Sequence, residues 1–245
     1  MVDPATLFLI LAAPFVGSFL GVLVLRLPEG RPVLLGRSAC PHCGTVLGPR
    51  DLVPLVSWLL LRRRCRACGT AIPPFYPLIE LAALGVALWA VATAPNAATA
   101  TAGCLLGWAL LALAEIDRRH MLLPDALTLP LLALGLAATG LLAPDQMINH
   151  LIGAAAGFAV LAGLALLYRR LRGRDGLGLG DAKLLAAAGA WVGWEGLPGV
   201  VLIGAATGLA WVLVAGRLSG RPLDPARPLP FGPFLALGLW LVWLY

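Results

Sequence analysis

The chain has 245 residues, of which 60% are hydrophobic and 12% charged, and its mean hydropathy is +0.90. A soluble domain carries about 25% charged residues, so an ordinary soluble fold is excluded. The net charge of +6 comes with no basic recognition helix and no aromatic stacking platform, so nucleic acid is not expected as a partner.

The first uncharged stretch, 4–25, has no basic residue before it and Arg26 after it. That order reads as a retained first span rather than a cleaved secretory peptide. Further uncharged stretches run 81–114, 126–144, 151–168, 184–194, 196–216 and 228–245. A helix crosses the hydrocarbon with about 20 apolar residues. Residues 81–114 are too long for one crossing and are broken by "APNAAT" at 94–99, which gives two helices. The Gly-Trp-Glu-Gly turn at 193–196 separates two more. The expected fold class is an all-α polytopic membrane protein of about eight transmembrane helices, some of them short, with a small cytoplasmic zinc-binding loop domain. The expected division is a first helix at 1–25, a four-cysteine zinc domain at 26–76 and a seven-helix membrane core at 77–245. No convincing internal repeat is evident.

Threading eight helices puts 26–76, 117–125, 169–183 and 217–230 on one side of the bilayer, and all eighteen Lys and Arg residues fall there. The positive-inside rule makes that side cytoplasmic and both termini periplasmic.

The longest cytoplasmic loop contains "ACPHCG" (39–44) and "RCRACG" (64–69), two Cys-x-x-Cys-Gly turns. Cys40, Cys43, Cys65 and Cys68 supply the four thiolates of a tetrahedral structural zinc site. Two disulfides are the rival reading and the weaker one, since the charge pattern puts the loop in a reducing cytosol. Metal would supply the fold that so small a core cannot. The run "LVSWLLL" (55–61) is expected to dip into the interface or pack against the helices. Cys104, inside the third span, reads as a small core residue.

Twelve acidic residues are few enough to sort. Glu80, Glu115, Asp117, Asp125 and Asp181 sit at or just inside the cytoplasmic ends of spans, while Glu29, Asp51, Asp175 and Asp224 belong to charged loops. A carboxylate at a span centre costs about 2.5–3.5 kcal/mol, less at the edge, so structural roles stay open for each. Asp125 follows Pro124 and reads as a helix cap. Glu80 suits either a helix N-terminus or a ligand. Glu115 and Asp117, two apart on one helix, point in different directions, so at most one faces a given site.

Asp181 follows Gly176, Gly178 and Gly180, which leave room for another backbone to approach, and Lys183 follows it. No Gly-x-x-x-x-Gly-Lys-Ser/Thr phosphate loop is present. Two carboxyls brought together share a proton and can act as general base and general acid. Aspartic peptide hydrolysis fits, because no Gly-x-Ser-x-Gly elbow or His-Glu-x-x-His motif appears and the three histidines are scattered. His120 is the weaker candidate near this site. A basic residue such as Lys183 could steer or stabilise the second acid, though topology alone would also put it there.

At this point the chain resembles the bacterial type IV prepilin peptidases, membrane aspartic proteases of the GxGD class. The resemblance is carried by "VGSFLGVLVLRLP" (16–28), the two cysteine turns, "FYPLIELAAL" (75–84), "EIDRRHMLLPDALTLPLLALGL" (115–136), "GLGDAKLL" (178–185) and "LPFGPFLALG" (229–238). It implies that the catalytic pair is Asp117 and Asp181. It implies cleavage of the basic leader of prepilins or type II secretion pseudopilins at the cytoplasmic face of the inner membrane. It further implies N-methylation of the new N-terminal residue from S-adenosylmethionine. Gly178 and Gly180 would then admit the substrate backbone, with Lys183 beside them. Two positions depart from the family pattern: Gly21 stands where Asn is common, and Arg63 where Gly is common. A proton-coupled transporter would use similar carboxylates nearer the midplane, and a non-catalytic assembly factor held by its zinc loop is the third reading.

Overall fold

The computed structural model describes residues 3–173, 178–219 and 229–245. Gly176, Asp175 and Asp224 lie outside the described residues. The helices are α1 (Pro4–Arg26), α2 (Val56–Leu60), α3 (Phe75–Thr93), α4 (Ala97–His120), α5 (Asp125–Leu142), α6 (Met147–Arg172), α7 (Leu179–Ser219) and α8 (Gly232–Leu244). Apart from two isolated β-bridges the described residues hold no strand pairing. Six of the helices are long and apolar enough to cross a membrane, and α8 is a shorter apolar helix.

The longest element is two membrane segments joined. The 41 residues of α7 would extend about 60 Å, twice the roughly 30 Å of hydrocarbon. The helical path breaks at Gly193, where φ is 67° and ψ 178°, a conformation open chiefly to glycine. With this break, and the five-residue α2 aside, the apolar helical segments among the described residues number eight, as the sequence leads one to expect.

The chain divides into two compact units, Met1–Ala112 and Leu113–Tyr245, with the division inside α4. In the first unit α1 and α3 meet at Gly17, where a Cβ would come 2.6 Å from Glu80 Cα and 2.9 Å from the Ile79 carbonyl oxygen. Only a residue without a side chain allows that approach. Trp108 Nε1 donates to the Ala83 carbonyl at 3.0 Å, tying α4 to α3. Asn96 Oδ1 accepts the Thr99 N–H at 2.9 Å, which satisfies one of the free donors at the start of α4.

Between α1 and α3 the chain is gathered by polar contacts. Arg26 donates to the carbonyls of Pro32, Gly36 and Arg37 at 3.2, 2.9 and 3.3 Å. The apolar run after them forms α2, and Trp58 Nε1 donates to the Ile72 carbonyl at 3.4 Å. Buried Glu80 accepts the Leu55 N–H at 2.7 Å. Glu80 therefore anchors the loop onto α3.

In the second unit α6 packs against the first half of α7, with Gly153 against Gly189 and Gly157 against Leu185. The second half of α7 packs against α8, with Gly199 beside Val242, Val200 beside Gly238 and Gly204 beside Phe234. In both pairs rising residue numbers meet falling ones, so both pairs are antiparallel. Trp191 stacks edge-on against Trp243, ring centroids 5.1 Å apart. The first half of α7 and all of α8 thus run the same way and end together, and α7 reverses direction at Gly193. Outward residues such as Ile148, Val160 and Leu171 are more than half exposed, as a surface that meets hydrocarbon chains requires.

Candidate active site and metal centre

The last turn of α4 carries Arg118 and Arg119, cations that favour a helix C-terminus, and ends at His120. Glu115 pairs with Arg118 at 2.7 Å and with Arg119 at 2.6 Å. Asp117 lies about 200° further round the helix and is only 6% exposed. Of the two neighbouring acids, Asp117 is therefore the one turned inward. Its Oδ2 accepts the backbone N–H of Gly232, the first residue of α8, at 2.9 Å.

Asp181 occupies the first turn of α7, where a negative charge is favoured by the helix dipole. Asp117 and Asp181 line one cavity of about 230 Å³ and are close enough to interact electrostatically. Gly178, Gly180, Lys183 and Asp125 line it too, and residues Met121 to Leu123 back it. One water occupies about 30 Å³ in the liquid, so a water and a peptide group fit together. A Cβ on Gly178 would stand 3.7 Å from Asp181 Oδ2, and one on Gly180 would meet Leu123 Cβ at 3.0 Å. A side chain at the first would rest in ordinary contact against the acid and narrow the approach to it; the second lets Leu123 pack close.

One reading of the sequence is corrected at this site. Asp125 makes no capping hydrogen bond, Pro124 holding the cap position; its carboxylate instead accepts a charge-assisted bond from Lys183 at 2.5 Å. Lys183 accordingly pairs with Asp125 rather than with Asp181. The sequence signal for this pair was weak, because its members lie on different helices 58 residues apart.

The candidate metal centre belongs to the first unit. The sulfurs of Cys40, Cys43, Cys65 and Cys68 all lie within 4.8 Å of one another, and those of Cys40 and Cys68 are 3.9 Å apart. Zn–S bonds of about 2.3 Å in a tetrahedron place sulfurs about 3.8 Å apart, so the cluster fits zinc. All four thiols are free. The two halves share one construction. Cys40 N–H bonds to the Thr45 carbonyl at 2.9 Å and Cys65 N–H to the Thr70 carbonyl at 2.8 Å. Gly44 and Gly69 turn at φ 70° and 72°. The Thr45 hydroxyl lies 3.3 Å from Cys43 Sγ, and that of Thr70 3.4 Å from Cys68 Sγ. Hydrogen bonding with the Thr70 hydroxyl and backbone holds the Cys68 thiol down to about 6, toward the deprotonated form a metal ligand takes. The threonines were readable as a repeated Cys-x-x-Cys-Gly-Thr at 40–45 and 65–70, a short internal repeat after all.

Comparison with known proteins agrees with this geometry. Residues 11–94 match the model of the bacterial peptidase A24 N-terminal domain, and residues 104–213 match that of the type IV leader peptidase family. The chain belongs to the type IV leader peptidase family. A prepilin leader peptidase/N-methyltransferase of Burkholderia pseudomallei is 44% identical, over 94% of this chain and 82% of its own. Proteins of the same description from Aeromonas hydrophila and Pseudomonas aeruginosa are 41% and 39% identical, covering 94% and 96% of this chain and 87% and 89% of their own. No solved structure matches. The family's first model covers the four cysteines and its second both inward acids, while Gly232 lies beyond it. Family membership and apolar helices together make the chain a multi-pass membrane peptidase.

Proposed function

We propose that this chain cleaves the leader of type IV prepilins or type II secretion pseudopilins with Asp117 and Asp181, and methylates the new N-terminus. The observation that carries the reading is that acids from α4 and α7 line one cavity. Two carboxyls there share a proton and titrate as a pair. The ionised one takes a proton from water, whose oxygen attacks the scissile carbonyl carbon. The protonated one gives its proton to the carbonyl oxygen. Collapse of the resulting diol breaks the C–N bond: the first acid protonates the departing amine, and the diol returns a proton to the second. Gly178 and Gly180 both border the cavity that takes the substrate backbone, Gly178 beside Asp181 and Gly180 by letting Leu123 pack close, and the Lys183–Asp125 pair borders the same cavity.

Cleavage takes place on the cytoplasmic side of the bacterial inner membrane. The one-sided distribution of Lys and Arg supports this orientation, with both termini periplasmic. Zinc at the four cysteines is structural, since four protein ligands leave no open position, and it organises residues 26–76, apart from the membrane core at 77–245. The methyl donor is S-adenosylmethionine. A cavity of about 840 Å³ in the first unit, lined by Trp58, Tyr76 and Glu80 among others, is of a size that holds such a molecule.

The test is cleavage of a prepilin by the purified enzyme. Asp117→Asn and Asp181→Asn should each lower kcat at least about 1000-fold, the range general acid–base groups supply, with thermal unfolding unchanged. Retained cleavage in either variant removes that residue from the pair. Mass spectrometry of the product's first residue reads methylation directly.

A further inference from the structure

We infer that Gly232 is a positioning residue for Asp117, holding the Oδ2 of its carboxyl by the backbone N–H and leaving, by its missing side chain, the space in which that carboxyl stands. The inference rests on the assignment of Asp117 to the catalytic pair.

Two observations support it. The Gly232 N–H lies 2.9 Å from Asp117 Oδ2, in a buried contact between residues 115 positions apart. A Cβ at Gly232 would come 2.7 Å from that oxygen, 3.0 Å from Cγ and 3.2 Å from Cβ of Asp117. The first is closer than Cβ atoms come to other atoms and the other two are tighter than nearly all such contacts, so the Asp117 side chain would have to shift to make room.

Backbone conformation does not explain the glycine. Gly232 is absent from the positive-φ positions of the chain and begins a regular helix, where alanine is the better residue by propensity. What the position requires is space beside the acid and a free N–H. Pro233 follows in the first turn, where proline fits and offers no donor. The amides of Phe234 and Leu235 both go to the Phe231 carbonyl at 3.1 Å. The Gly232 amide is thus one of the donors that a helix start leaves without an intrahelical partner, and the partner it takes is Asp117. With Oδ2 held by α8, Oδ1 is the oxygen left to handle water and substrate protons. A backbone donor of this kind is invisible to side-chain scanning.

A purely structural role, with Asp117 serving only as a remote cap for α8, would affect stability alone. Positioning affects turnover. Gly232→Ala in the full-length enzyme should lower kcat for prepilin cleavage at least about 100-fold, the effect of misplacing a catalytic group by about 1 Å. KM should stay within about threefold, and the pH–rate profile should shift, as a disturbed proton-sharing pair requires. Zinc content and methylation of a pre-cleaved pilin should be unchanged. Cleavage within about threefold of wild type, a loss carried by KM, or an equal loss of methylation overturns the inference. Should Gly232→Ala prove unstable, its thermal effect is compared in wild-type and Asp117→Ala backgrounds. Removing the carboxyl should relieve at least half of the stability loss; an equal loss in both backgrounds overturns the proposal. Asp117→Asn, run alongside, separates the two readings. If it cleaves, the catalytic assignment fails; if only Gly232→Ala cleaves normally, positioning fails alone.

Discussion

At the residue scale, Arg63 stands with its backbone in the left-handed region, at φ 64°. The resemblance marks this position as one where glycine is common, and the structure supplies the physical reason. Its N–H bonds to the Trp58 carbonyl at 2.9 Å and its carbonyl accepts the Ile72 N–H at 2.7 Å, which fixes the turn that leads into Cys65. A non-glycine residue there costs about 1–2 kcal/mol. The guanidinium, 4.9 Å from the Trp58 ring centroid, offsets about 0.5–1 kcal/mol of that, and the flexibility glycine would add to the unfolded chain offsets a similar amount. Arg63→Gly should therefore be nearly neutral, shifting the chelator concentration that strips zinc by less than about fivefold, the equivalent of about 1 kcal/mol. Arg63→Val loses the ring contact and places a β-branched side chain at a conformation it rarely adopts. It should release zinc at a chelator concentration at least about tenfold lower, and a Val variant as retentive as wild type would contradict this account. Single residues were legible where chemistry is local, as at the cysteine turns. They were not where it depends on distant partners. Asp125 had every local feature of a cap, and its Lys183 partner arrives from another helix.

At the element scale, the membrane helices were legible from length and apolarity, and the reversal at Gly193 from its Gly-Trp-Glu-Gly turn. Which face of each helix is buried was not. In water, burial separates apolar from polar positions; in lipid both faces are apolar, and only small residues betray close packing. Helix α6 shows the consequence within its own length. A Cβ at Gly153 would lie 2.7 Å from the Gly189 carbonyl oxygen, Gly193 C and Trp194 N, all backbone atoms. None of these can rotate away, so α6 and α7 would have to separate. Gly163, on the same helix, has nothing within 4 Å of its Cβ position. Gly153→Ala should destabilise by about 1–3 kcal/mol, the usual cost of overpacking. Gly163→Ala should be neutral or stabilise by up to about 1 kcal/mol through helix propensity. Thermal unfolding of the two variants in one detergent decides the matter, and equal effects would mean that the α6–α7 contact is not tight.

At the scale of the whole molecule, the chemistry is sorted along the chain. The four cysteines and the larger cavity belong to Met1–Ala112, whereas both inward acids and every residue lining their cavity belong to Leu113–Tyr245. The cysteines proposed to hold zinc therefore include none of the groups proposed to break the peptide bond. Cys40→Ser removes one of four ligands, and a structural zinc site loses its metal and local fold together. The resulting protein should contain no zinc by metal analysis. Its cleavage kcat should nonetheless stay above about a hundredth of wild type, against less than about a thousandth for Asp117→Asn, because loss of the cysteine turns does not remove the acid–base pair. Any larger effect should appear in KM, as weaker capture of the substrate rather than slower chemistry. A Cys40→Ser enzyme with the turnover defect of Asp117→Asn would mean that the cysteine turns take part in the bond-breaking step, and the separation of tasks between the two units would have to be abandoned.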